Sequence, residues 1–147
     1  MAKFEREVEI DSVMQKTWEV LINPTYWPEW FPGVDSVEAL AAPVVGSNVK
    51  VFINGEAGIA TFVKMQAPDL LEVTTQVGKD KDQHIFKLKS TGGLLGLKAD
   101  ETKVEYKLDT LSGGGMIGRF FTNGNPVDAM KVNKAMIRFR KLVEKMA

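Results

Sequence analysis

Cysteine is absent from the 147 residues. Disulfides, thiolate metal sites and cysteine nucleophiles are therefore excluded. Histidine is nearly absent too: His84 stands alone, so zinc sites built on two imidazoles are excluded as well. There is no excess of charge of either sign, since 19 basic and 19 acidic side chains cancel. A phosphate-binding surface needs a surplus of Lys and Arg, so nucleic acid is not expected as a partner. No apolar run approaches the roughly 20 residues that span a bilayer. Met1 to Glu9 is charged and has no apolar signal core. No Asn-x-Ser/Thr acceptor occurs, because Asn23 is followed by Pro24. The expectation is one soluble domain over residues 1–147, cytoplasmic, without stable membrane insertion, metal or cofactor. A chain of about 150 residues buries roughly 68–70% of its unfolded surface, so its core needs no staple.

What is present is alternation. Phe4, Val8 and Ile10 share one parity and Lys3, Glu5, Glu7 and Glu9 the other, the pattern of a half-buried antiparallel strand. Asp11 or Ser12 is placed to cap a following helix. Val13, Trp18, Leu21 and Ile22 form its apolar stripe, and Pro24 stops it. A second short helical turn fits between Pro24 and Phe31. From about Val34 to Asp109 strand follows strand. Val49, Val51 and Ile53 alternate with Lys50 and Phe52 and lead into Asn54-Gly55, a strong hairpin signal because both residues tolerate positive φ. The partner strand covers about Ala57 to Met65. Its phase is open, since Phe62 and Val63 both suit an inward position. Ala67-Pro68-Asp69 breaks the chain. Leu71, Val73, Thr75 and Val77 mark the next strand, and Gly78 to Asp82 reads as a charged turn. His84, Phe86 and Leu88 share one face of the strand after it. A loop with Gly92, Gly93 and Gly96 precedes Val104, Tyr106 and Leu108, the inward set of the last strand.

A long helix closes the chain. Asn125 suits the N-cap and Pro126 the first helical position. Val132, Met136, Phe139, Val143 and Met146 recur at intervals of four and three, while Lys131, Lys134, Arg138, Lys141 and Lys145 line another face. From Pro126 to Met146 the helix would be about 31 Å long. The order is strand, two short helices, about six strands and a long helix. The helix must bury its apolar face, and a bent sheet is the only surface large enough to receive it. Enclosed apolar volumes of that kind are usual sites for small molecules.

These residues resemble the START-like, Bet v 1-like superfamily, and within it the bacterial polyketide cyclase/dehydrase and lipid-transport group. The likeness covers essentially the whole chain. It is carried by Val8-Glu9-Ile10-Asp11-Ser12 with Thr17-Trp18-Glu19-Val20-Leu21, and by Tyr26-Trp27-Pro28-Glu29-Trp30-Phe31-Pro32-Gly33-Val34 with Val37-Glu38. Val45-Gly46-Ser47, Ala67-Pro68 and Thr102-Lys103-Val104-Glu105-Tyr106 extend it. The resemblance implies an α+β helix-grip fold: a bent seven-stranded antiparallel sheet wrapped around the C-terminal helix, with two short helices after the first strand. It also implies a hydrophobic ligand, such as a lipid, sterol or polyketide, in an internal cavity. In similar proteins the last helix is often continuous. Here Asn123 to Pro126 interrupts it, so Met116 to Phe121 either joins the helix or forms a lid near the cavity mouth.

Several side chains bear on chemistry. Gly113 to Gly118 matches G-x-G-x-x-G, but only a helix-like segment follows and no acid stands about 20 residues on, so a flexible joint is the better reading than nucleotide binding. His84 on an inward face would be either a proton carrier or a hydrogen-bonded core histidine. Arg6 shares parity with Phe4 and Val8, and either holds a ligand anion or leads its charge out past the strand end. Tyr106 needs a partner if buried. A Tyr–His pair in a cavity would polarise a carbonyl, although nothing in the sequence brings these two together. Thr61 and Thr75 are further polar points on inward faces. Trp27 reads as packing, and Trp30 as either packing or cavity wall. Met130 and Met136 give a soft wall or plain core. The expected ligand-binding set is Arg6, Trp30, Val51, Thr61, Val73, Thr75, His84, Phe86, Tyr106, Met130 and Met136. The leading function is non-catalytic binding or transport of a hydrophobic small molecule. The alternative is a cyclase or dehydratase with His84 as proton carrier and Tyr106 as donor. A third is an interaction module whose interior is filled by its own side chains. The basic stripe of the last helix reads as a solvated outer face.

Overall fold

A computed structural model of the chain describes residues 3–39, 43–90, 101–112 and 126–146. The glycine-rich stretch at 113–118, the lid or helix question at 116–121, the Asn125 cap, the glycines of the loop at 92–96 and the side chain of Met130 lie outside what is described. Strand β1 covers Lys3–Ile10 and helix α1 Met14–Leu21. A single turn at Pro24–Tyr26 runs into the short helix α2, Trp27–Trp30. Six strands follow: β2 Val34–Ala39, β3 Asn48–Ile53, β4 Glu56–Gln66, β5 Leu70–Val77, β6 Asp80–Ser90 and β7 Thr102–Ser112. Helix α3 is Pro126–Met146.

The seven strands form one antiparallel sheet in the order β1-β7-β6-β5-β4-β3-β2. Strands β2 to β7 are a meander, and β1 returns to the edge beside β7. Alternation makes one face apolar. Val51, Ile53, Phe62, Val73, Phe86, Val104 and Leu108 are buried on it, in one core cluster with Val132, Met136, Phe139 and Val143 of α3. This is the helix-grip α+β architecture expected from the pattern. Two hydrogen bonds orient the helix. Arg6 Nε donates to Asn133 Oδ1 at 2.7 Å, and the Asp11 N–H donates to Glu144 Oε2 at 2.8 Å. Residue numbers rise together along both elements, so α3 runs parallel to β1. Its first turns therefore lie toward the sheet end where β5 stops and β6 starts.

Two local expectations are corrected and one open phase is settled. Helix α1 begins after Val13, with no side-chain cap, instead of at Asp11 or Ser12. Ser12 is buried and its carbonyl accepts the Thr102 hydroxyl at 2.7 Å, so it serves the sheet end. Val13 is 44% exposed, and the buried face of α1 is Thr17, Trp18, Val20 and Leu21. The turn after β5 is shorter than read: β6 already starts at Asp80, and Asp82 is buried within it. The phase of β4 is settled by a bulge between Phe62 and Lys64. Ala60 and Phe62 point inward, Val63 is 43% exposed, and Met65 returns to the core side. One extra residue changes the parity, which is why a strict alternation could not be read there.

Candidate functional site

The inner faces of β5, β6 and β7 meet in a polar chain. Register places His84 of β6 opposite Val73 of β5 and Leu108 of β7. Thr75 and Tyr106 are its diagonal neighbours, one step along the same face of each flanking strand. Diagonal positions on one face are within reach of long side chains. His84 Nε2 lies 2.9 Å from Thr75 Oγ1, and His84 Nδ1 lies 2.7 Å from Tyr106 Oη. All three are enclosed: His84 and Tyr106 are 0% exposed and Thr75 is 2%. Burial pushes the His84 pKa down from 6.5 to about 3, so the ring is neutral at ordinary pH. Burial, and secondarily the negative charge of Asp82, holds the Tyr106 phenol well above its ordinary value.

An aromatic wall surrounds this chain. Tyr106 stacks on Phe86 with centroids 4.6 Å apart, and Phe31 meets the His84 ring edge-on at 4.8 Å. Trp30 lies 4.6 Å from Phe139 of α3 and 5.6 Å from Phe86. The two neighbouring indoles differ. Trp27 Nε1 donates to the Leu21 carbonyl at 3.1 Å. Trp30 Nε1 is buried and has no acceptor among the described residues. A buried donor left unpaired costs about 1–3 kcal/mol.

Of the expected ligand-binding set, Trp30, Val51, Val73, Thr75, His84, Phe86, Tyr106 and Met136 are brought together in the core. Two are not. Arg6 sits opposite Tyr106 in the register, yet its side chain is exposed and bonded to Asn133. Leading the guanidinium outward avoids burying it without a carboxylate. Thr61 faces outward, where its hydroxyl donates to Asn48 Oδ1 at 2.7 Å. There it lines an outer-face groove of about 930 Å³ with Lys50, Ile59 and Val63. Asp82 was assigned to a turn and is in fact part of the buried polar group. Its parity with His84, Phe86 and Leu88 was the available signal. Phe31, edge-on to His84, lies outside the expected ligand-binding set. Among the described residues no group of His, Asp and Glu is assembled to hold a metal ion. Among them also, no helix is long and apolar enough to cross a membrane.

The fold defined by this sheet and helix is that of START-like, Bet v 1-like proteins. No protein-family model and no curated protein matches the chain. Solved structures do. A protein of Mesorhizobium loti aligns with a TM-score of 0.73 at 14% identity, covering 99% of each chain. A START superfamily protein from Mycobacterium smegmatis aligns with a TM-score of 0.65 at 14% identity, covering 98% of this chain and 95% of that one. A truncated norcoclaurine synthase from Thalictrum flavum aligns with a TM-score of 0.64 at 16% identity, covering 97% and 92%. Identities this low carry the fold and leave function to the site.

Proposed function

We propose that this domain encloses a hydrophobic small molecule, lipid-like or polyketide-like, between the inner face of β5–β7 and the first turns of α3. The Thr75–His84–Tyr106 chain receives its polar end. The observation that carries this reading is the chain itself. Thr75, His84 and Tyr106, on adjacent strands, are buried together with Asp82 among apolar side chains. Apolar residues of similar volume would pack there without the desolvation cost of polar groups. The ring contacts of Trp30, Phe31, Phe86 and Tyr106 fill one end of the interior. The Thr75 end, facing the start of α3, is where the ligand is placed.

The enzymatic alternative, a cyclase or dehydratase, draws on the 2.7 Å contact of His84 with Tyr106. It also draws on the enzyme named among the fold neighbours. It requires His84 to take up and release a proton near neutral pH. A pKa of about 3 makes the imidazolium scarce there, which favours binding over proton transfer. The test is native mass spectrometry of the purified protein, followed by solvent extraction and by displacement of an apolar dye with lipids. A released hydrophobic compound, or displaceable dye, supports the proposal. A clean mass with no dye binding means that side chains fill the interior, and the interaction-module reading replaces it.

A further inference from the structure

The outer face of the sheet carries a site separate from the interior. Lys50 of β3 stands opposite Ile59 of β4, Ile59 opposite Gln76 of β5, and Gln76 opposite Lys81 of β6. These residues form one row across four strands. The lysine backbones are roughly 14 Å apart, three strand spacings of about 4.8 Å. Asn48, Thr61 and Thr74 form the neighbouring row. Both rows line the outer-face groove of about 930 Å³, and Val63 lines it further along β4.

The groove is apolar along β4 and cationic on both sides. Ile59 is 45% and Val63 43% exposed, and they are the exposed large apolar side chains of the described strands. Exposed apolar residues scattered singly are ordinary, but these two share one strand and one groove. On β7 the outward lysines are matched: Lys103 pairs with Glu7 and Lys107 with Glu5. Lys50 and Lys81 have no such partner among the described residues. Glu38 also lines the groove, likewise without an ion pair among them, so the lining carries two cations against one carboxylate. That excess suits a single negative charge. Lysine ammonium groups on flexible four-carbon stems can reach inward from both sides.

We propose that this groove binds the monomeric anion of an amphiphile, a long-chain carboxylate. Its head group lies in the row between Lys50 and Lys81, and its alkyl chain runs along β4 over Ile59 toward Val63. A groove of this width takes one chain and does not fit a flat bilayer surface. The proposal is independent of the enclosed ligand proposed above. The test follows side-chain methyl NMR signals of the whole protein during titration with octanoate, octanol and octylammonium, each below its micellar concentration. Octanoate should shift the Ile59 and Val63 methyls saturably, at a concentration about fivefold or more below the other two, the scale of two exposed ion contacts. The preference should vanish in about 1 M salt, where charges are screened beyond roughly 3 Å. The double variant Lys50→Gln/Lys81→Gln, confined to exposed positions, should lose the preference and keep the weak octanol binding. Equal binding of octanol or octylammonium, or an unchanged preference in the double variant, overturns the proposal. Shifts confined to the inward Val51 and Val73 methyls also overturn it, and leave the interior site standing.

Discussion

His84 is the residue on which pH acts. Its folded pKa of about 3 lies below the unfolded value of 6.5. Above pH 6.5 both states are neutral and the histidine adds no pH dependence. Below it the unfolded chain takes a proton that the folded chain refuses, so stability falls as the pH drops, by about 1.4 kcal/mol per pH unit until the folded pKa is reached. Urea midpoints measured between pH 6.5 and 5 should show this slope in the native chain and lose it in His84→Gln. An unchanged slope in the variant would mean that His84 is not desolvated. Tyr106→Phe keeps the ring stacked on Phe86 and removes only the oxygen beside His84 Nδ1. It should cost about 1–3 kcal/mol, because one ring nitrogen loses its partner in a dry place. A loss below a few tenths in denaturant unfolding would show that the bond is not held in solution. The sequence supplied the parity that turns His84 and Tyr106 inward. Their meeting depends on a register across two strands that lie 22 positions apart in the chain.

At the level of elements, turn chemistry was the most legible feature. Asn54 and Gly55 adopt φ of 51° and 81°, as a two-residue hairpin requires. Gly58, three residues further, was not singled out by any pattern. An added Cβ there would lie 2.8 Å from the Gln76 carbonyl oxygen and 2.8 Å from Val77 Cγ2, so β4 and β5 approach more closely than a side chain allows. Gly58→Ala should therefore destabilise by about 1–3 kcal/mol, and the obstacle is partly backbone that cannot rotate away. A denaturant midpoint within error of the native protein would show that β5 yields at that point. The bulge in β4 and the uncapped start of α1 were illegible for a shared reason. Both are set by what neighbouring strands occupy, Leu71 opposite Met65 in one case and the Thr102 hydroxyl on the Ser12 carbonyl in the other.

Across the whole molecule, stability rests on the seam between sheet and α3, and the outer charges matter little. Phe139 is fully buried against Trp30, and Phe139→Ala should cost about 3–5 kcal/mol through lost burial and the cavity left behind. Glu7 pairs with Lys103 at 3.1 Å on the exposed face, so Glu7→Gln should change stability by less than about 1 kcal/mol. Thermal unfolding of the two variants in parallel checks the contrast. Comparable losses would show that the charges on the outer face of the sheet contribute as much as the buried seam. A ligand that binds only the folded domain would add about 2.7 kcal/mol at one hundred times its dissociation constant, so these scans belong on extracted protein.

The architecture was legible because it depends on periodicities of two and near 3.6, on glycine and proline punctuation, and on the need of one amphipathic helix for a cover. Those are local properties, and they yielded the strand order of a meander and the inward sets of β3, β5, β6 and β7. Arg6 and Thr61 show where local reading stops. Parity put both inside, yet Arg6 emerges onto Asn133 and Thr61 turns outward above the bulge. Whether a polar side chain is enclosed depends on the desolvation it meets and the partners it finds. Thr75, His84 and Tyr106 found partners in each other, through cross-strand distances that exist only once the sheet is assembled.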